Sequence, residues 1–190
     1  MQRNLSDEHM TLGADLRALR KTRNLTLADL AGRLGRSVGW LSQVERDISG
    51  ASIGDLRQIA AVLGVSVSML FRNEAAPVNE EGYIVRKSAR RPLGPGKSGM
   101  VEELLSPDLT DDFEVVHSLF EPGSEIEAPV KRATQEVVYL VSGCLDIQID
   151  DASHTINPGD SFRLRGETFR WFNPYTDPAV AIWVIAPPVY

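Results

Sequence analysis

Apolar positions along the chain follow two different periods. From Leu12 to Phe71 they recur every three or four residues, the spacing of helices that bury one face. The segment Thr26–Phe71 predicts four short helices. Thr26 can cap the first, with Asp29 three residues on as its capping-box partner, and Leu27, Leu30, Ala31 and Leu34 form the buried stripe. Gly35 takes a positive φ at no steric cost, and Ser37 caps the next helix, whose inward residues are Leu41 and Val44. A small residue at Ala31 and a glycine four positions later let two helices cross closely, as a helix-turn-helix requires.

Later in the chain the period shortens. FEVVHSLF, EVVYLVSG, CLDIQID, DSFRLR, TFRWFNP and AVAIWVIAPP are rich in β-branched and aromatic residues. Pro122-Gly123, Asp150-Asp151, Pro158-Gly159 and Asn173-Pro174 supply turns between them. Short strands at this spacing predict a small all-β unit, a double-sheet jelly roll able to enclose a ligand. Between the halves, residues 72–81 are polar and interrupted by Pro77, which predicts a linker. The expected organisation is an N-terminal arm (1–11), a helical domain (12–71), the linker (72–81) and a β-barrel domain (82–190).

With Leu41 and Val44 inward, Ser37, Val38, Ser42 and Gln43 fall on the outer side of their helix. A glutamine amide can pair bidentately with adenine, so Gln43 is the principal candidate for base contact. Ser37 and Ser42 would bond base edges or phosphates, and Val38 would meet a thymine methyl. Arg36, Trp40 and Arg46 flank this face as candidates for phosphate contact, with packing the alternative for Trp40. The stretch LGADLRALRKTRNLTLADLAGRLGRSVGWLSQVER, followed by LRQIAAVLGVSVSMLF, resembles the five-helix domain of Cro/C1-type (XRE family) transcriptional regulators. That resemblance implies that the second helix of the motif enters the major groove while the preceding one crosses the backbone. Leu27 stands where some members carry glutamine, leaving the Thr26 hydroxyl and helix-terminal amides to contact phosphate. Asp47 is expected to bring negative charge close to the DNA side.

The charge distribution agrees with a DNA-binding head. The whole chain is net −6, yet residues 1–75 carry 10 Lys/Arg against 8 Asp/Glu, and the remainder 10 against 18. A basic head on an acidic body fits one domain that binds nucleic acid and one that does not. No apolar run is long enough to span a membrane, and no signal-peptide pattern is present, so a cytoplasmic location is expected. Cys144 is the only cysteine; a buried inert thiol and a redox sensor are its two readings.

The β half is similar to cupins in the spacing of its motifs. Gly123, positions 129 and 131, Glu136 and Gly143 match the first cupin motif, and Pro158, Gly159, position 169 and Asn173 the second. The resemblance covers about residues 114–190. It implies a metal site at positions 129, 131, 136 and 169, but Pro129, Lys131 and Phe169 occupy the histidine positions and only Glu136 remains. One carboxylate cannot cage a transition metal, so no metal, cofactor or catalytic residue is expected.

The motif positions that point inward in cupins are Lys131, Glu136 and Phe169. By strand alternation Val138 shares the face of Glu136, and Trp171 that of Phe169. A carboxylate beside aromatic faces suits an amine or quaternary ammonium ligand, and Lys131 would add recognition of a carboxylate, as in an amino-acid-like zwitterion. Phe169 and Trp171 have ordinary core as their alternative, and Lys131 a solvated position.

The expectation is thus a transcriptional regulator, a repressor sooner than an activator. It would bind a palindromic double-stranded DNA operator as a homodimer, with a small-molecule effector in the barrel. A cupin-type enzyme with a DNA-binding head, and a regulator whose barrel only dimerises, are the alternatives.

Overall fold

The computed structural model describes residues 11–65, 67–70, 79–80, 82–93, 99–107, 109 and 111–189. The chain divides into two units. The described residues up to Arg91, with Pro107–Asp111, form the first, and Pro92–Ser106 with Asp112–Val189 form the second. Of the expected arm and linker, only Thr11 and residues 79–80 lie within the described residues.

The first unit contains α1 (Leu12–Thr22), α2 (Leu27–Leu34), α3 (Val38–Val44) and α4 (Ile53–Leu63). Each begins at a hydroxyl cap, Thr11, Thr26, Ser37 and Ser52 in turn. Thr26 with Asp29 and Ser52 with Asp55 complete reciprocal capping boxes. The hydroxyl and backbone N–H of each cap residue hold the two aspartate carboxyls below their ordinary pKa. Gly35 ends α2 at φ 62°, the left-handed conformation that lets the chain turn at once into α3. Leu16, Leu19, Leu30, Leu41, Ile59 and Leu63 are essentially inaccessible and form the core. A fully buried side chain of this kind contributes about 1.5–3 kcal/mol. Where the family resemblance implies a fifth helix, the described residues hold a 3-10 turn, Val67–Leu70.

The second unit is a two-sheet sandwich. Its strands are β1 (Arg91–Pro92), β2 (Met100–Leu104), β3 (Glu114–Phe120), β4 (Ser124–Glu125), β5 (Gln135–Ser142), β6 (Leu145–Ile149), β7 (Ala152–Ile156), β8 (Ser161–Leu164), β9 (Phe169–Asn173) and β10 (Ala179–Ala186). One sheet runs β1-β2-β3-β10-β5-β8 and the other β4-β9-β6-β7. All pairings of β2 to β10 given by the register are antiparallel. β10 lies between β3 and β5, so Trp183 stands opposite both Val116 and Val138. The inner faces share one core built on Phe120, Val138, Leu140, Phe169, Trp171 and Trp183. Asn173, the last residue of the second cupin motif, is fully buried. Its amide donates to the carbonyls of Phe120 (3.0 Å) and Asp177 (3.1 Å), and its oxygen accepts from the Tyr175 N–H (3.2 Å). It pins the turn between β9 and β10.

Cys144 is only partly buried, with its Sγ 3.7 Å from Asn157 Oδ1, so it is not the buried thiol of the first sequence reading. His117 points to the outer face of the larger sheet, since its neighbours Val116 and Ser118 are the inward, buried residues of β3.

Glu114 is an inward residue of β3 and 1% exposed. Its Oε1 accepts from the Val189 N–H at 3.0 Å. Burial lifts its carboxyl to about 7, against ~4.3 for a glutamate in an unfolded chain. The folded state therefore keeps this proton to higher pH than the unfolded state does. The resulting stability is fully present below the unfolded value and is lost as pH rises through 7. Glu114→Gln keeps an acceptor for Val189 and removes the titration. Its melting temperature is expected to exceed that of the wild type at pH 8 and to match it at pH 4, as thermal unfolding at the two pH values will measure.

Candidate DNA-reading helix and barrel cavity

α3 presents two faces. Leu41 and Val44 are buried against the other helices, while Ser37, Val38 and Gln43 are exposed and Ser42 half-buried. Val38 leaves 47% of its surface in water. The Gln43 amide has no hydrogen-bond partner among the described residues, so its donor and acceptor both face outward. Ser37 accepts the Trp40 N–H at 3.1 Å as the helix cap, which still leaves its own proton to donate.

The flanking residues are more committed. The Thr26 hydroxyl donates to Asp29 Oδ2 (2.5 Å) and accepts the Asp29 N–H (3.1 Å), so its proton is already engaged within the capping box. Arg36 pairs with Asp55 at 2.5 Å and lies over the Trp40 ring at 5.1 Å. Arg46 is exposed, with Nε donating to the Ser42 carbonyl at 3.1 Å. Asp47 is exposed and also has a structural role. Its Oδ1 accepts the Gly13 N–H at 2.9 Å and its other oxygen accepts the Thr11 hydroxyl, so it closes the N-terminus of α1. The approach is so close that a Cβ at Gly13 would lie 2.5 Å from the Val44 carbonyl oxygen.

What holds α3 at its angle has no local signature. Arg20 of α1 reaches Glu45, the C-cap of α3, with Nε to Oε1 at 2.6 Å and Nη2 to Oε2 at 2.8 Å. Its Nη1 donates to the Leu25 carbonyl at 2.8 Å. The pair is buried, with side-chain exposures of 10% and 4%. In the same unit Arg91 pairs with Asp15 at 2.6 Å, and both side chains are buried.

The β unit holds a cavity between its sheets. Its empty volume, open mouth included, is about 520 Å³. Phe169, Trp171 and Trp183 form aromatic walls, with Ile126, Val130 and Leu164 beside them. Phe169 meets Trp183 edge to face at 5.7 Å. The polar groups are Glu136, Glu102, Arg132 and Glu167.

Glu136 is 3% exposed. Its Oε1 accepts the Thr134 hydroxyl at 2.5 Å and faces Arg132 Nη1 at 3.9 Å. Glu102 accepts the Ser118 hydroxyl at 3.2 Å, and burial raises its pKa. The indole Nε1 of Trp183 is buried with no protein partner.

Of the residues singled out by motif position, Glu136, Phe169 and Trp171 line the cavity. Val138 shares the Glu136 face but lies in the packed core beneath it. Lys131 does not line it, whereas its neighbours Val130 and Arg132 do, Arg132 from a position that is itself exposed. The cause is the two-way backbone bridge between Val130 and Phe169, which sets Val130 inward and so turns the next side chain out.

Sequence reasoning missed Arg132, Glu102 and Trp183. Trp183 was reachable by alternation from Ile185 along β10. Arg132 and Glu102 had no such signal. The cavity does not fit a cupin metal. A guanidinium faces its one motif carboxylate, Phe169 fills a histidine position, and the described residues contain no cluster of three or more His, Cys, Asp or Glu able to hold an ion.

Residues 11–70 match the helix-turn-helix domain family, and residues 116–185 match the cupin domain family. Each half of the chain is thus matched by its own domain model, helix-turn-helix first and cupin second. An immunity repressor protein of Bacillus phage phi105 is 35% identical over 72 residues, 38% of this chain. The match spans 50% of that relative's length. A helix-turn-helix transcriptional regulator from Vibrio cholerae aligns at 22% identity over 95% of this chain and 97% of its own, with a TM-score of 0.45. Hydroxypropylphosphonic acid epoxidase from S. wedmorenis aligns at 17% identity over 94% and 99%, with a TM-score of 0.47. No helix among the described residues is long and apolar enough to cross a membrane.

Removing one partner of the Arg20–Glu45 pair strands a buried charge, which costs about 3–5 kcal/mol. Glu45→Ala is therefore expected to lose that much in chemical denaturation of the helical unit. Arg20→Met with Glu45→Leu together should recover most of it.

Proposed function

We propose that the protein is a transcriptional regulator that recognises a palindromic operator through α3 and acts as a homodimer, with half-sites about one helical turn apart. The observation that carries this reading is the outer face of α3. Gln43 offers an unpaired amide, with Val38 and the two serines beside it, on a helix fixed from behind by a buried ion pair. Arg46 and the amides at the start of α2 would position the head on phosphate. The matched helix-turn-helix family and the likeness to a phage immunity repressor support this reading and favour repression as its sign. Gln43→Ala should weaken binding to a selected operator by about 5- to 150-fold, the worth of one bidentate base contact, and relax preference at one base pair. Operator selection followed by binding measurements on both proteins tests this. Unchanged strength and preference would remove α3 from the reading role.

The effector belongs in the cupin cavity, where Glu136 and Glu102 face a single guanidinium among three aromatic rings. With Glu167 also on the lining, three carboxylates against one cation favour a ligand bearing an ammonium group, a small amine or an amino-acid-like molecule whose carboxylate would meet Arg132 in place of Lys131. The rings would add cation–π attraction. The walls leave room for a small molecule only. In a thermal-shift screen of the full chain against amines and amino acids, a binder at a hundredfold excess over its Kd adds about 2.7 kcal/mol. Glu136→Gln is expected to abolish that shift. A shift that survives the substitution would move the ligand out of this cavity.

A further inference from the structure

The first turn of α3 has no buried side chain to hold it. Ser37, Val38 and Gly39 are exposed and Trp40 is half-buried, so the buried stripe begins only at Leu41. Gly39 adds backbone freedom there, as a glycine inside a helix does. The Arg20–Glu45 pair acts at the other end, on the C-cap. Yet Ser37 and Val38, two of the outward candidates for base contact, belong to this first turn.

Arg36 supplies the missing anchor. It follows the left-handed Gly35 directly, with its own N–H on the Ala31 carbonyl at 3.0 Å. Its Nη2 donates to Asp55 Oδ1 at 2.5 Å, and its guanidinium lies 5.1 Å over the Trp40 ring. Asp55 is itself fixed. Its Oδ2 accepts the Ser52 N–H at 3.0 Å and the Ser52 hydroxyl at 2.6 Å, within the capping box of α4. Trp40, Arg36 and Asp55 thus tie the first turn of α3 to the first turn of α4.

The same contacts occupy the charge that a phosphate would need. Asp55 offsets Arg36 at contact distance, its carboxylate 12% exposed and the guanidinium 49%. A cation matched in this way offers little net charge to DNA, and binding to phosphate draws on that charge. Arg46 differs: its Nε bonds a backbone carbonyl, and it forms no ion pair with another described residue.

We infer that Arg36 is a positioning residue of the DNA-reading head and not a phosphate contact: by gripping Trp40 and Asp55 it holds Ser37 and Val38 at the angle that base contact requires. This rests on the reading of an operator through α3.

Binding of the full chain to a selected operator and to a scrambled duplex, across a series of salt concentrations, tests it. Arg36→Gln should weaken operator binding about 5-fold or more, the lower end of what one base contact is worth. Its binding to the scrambled duplex, and the slope of log affinity against log salt, should stay as in the wild type. Asp55→Asn keeps an oxygen for the Ser52 N–H but loses Arg36. It should cost the same factor, with little added in the double variant, as residues acting through one contact do. A phosphate contact gives the opposite result on each count. Arg36→Gln would then weaken both duplexes alike and lower the slope by about 0.9, as Arg46→Gln should, and Asp55→Asn would strengthen binding by removing a competing carboxylate. Those outcomes overturn the inference, and so does operator binding that neither variant changes. An ion pair half in water contributes little to stability, so both variants should melt with the wild type. Failure here leaves α3 as the reading helix, which Gln43→Ala tests separately. A wild type with no operator preference removes that reading and this inference together.

Discussion

A charge taken out of water has to be met on the spot, and this requirement organises both halves of the molecule. In the helical unit Arg20 uses both nitrogens of its fork on Glu45 and a third on the Leu25 carbonyl, so α1, the α1–α2 turn and the end of α3 are tied at one point. Apolar packing of Leu41 and Val44 alone would hold α3 close without fixing its roll about its own axis. A bidentate contact is directional, and it sets which side chains face outward. Asp47 continues the tie by capping α1 two residues later. This exposed carboxylate thus has a structural task of its own, at the N-terminus of α1.

In the cupin unit the same requirement is met less completely. Glu136 has Thr134 and a distant Arg132, Glu102 has Ser118, and Glu114 has one backbone N–H with its second oxygen unpartnered. The indole N–H of Trp183 is unpartnered as well. Inside a fully packed domain such unmet groups are costly. Glu136, Glu102 and Trp183 line the cavity, where a bound molecule could satisfy them, whereas Glu114 lies outside its lining. Where the cupin motifs place histidines this chain has Pro129, Lys131 and Phe169, and the cavity beside them is aromatic and rich in carboxylates.

Helix starts were legible in the sequence because their signals are local: a hydroxyl, then a carboxylate three residues on, as in Thr26 with Asp29. The outward face of α3 followed from helical spacing alone. Alternation likewise placed Val138 with Glu136 and Trp171 with Phe169. Arg20 and Glu45 lie 25 residues apart, and no pattern joins them before the helices pack. Lys131 and Arg132 show the other limit. They precede β5 in irregular backbone, where a bridge from Val130 to Phe169 sets the phase and strand period does not. Trp183 was within reach, but every second residue of AVAIWVIA is apolar on each side, so the run does not declare which face is the inner one.

The division of labour on α3 has a consequence for how such a protein can diverge. Leu41, Val44 and Glu45 serve the fold, whereas Val38, Ser42 and Gln43 contribute no side-chain contact to it beyond their place in the helix. Ser37 alone belongs to both sets, because its oxygen caps the helix it helps to present. Three positions of this outer face can therefore change with little demand from the scaffold, and the fourth is confined to residues that cap. Under the proposed reading, binding preference could then shift by a few substitutions at small cost in stability.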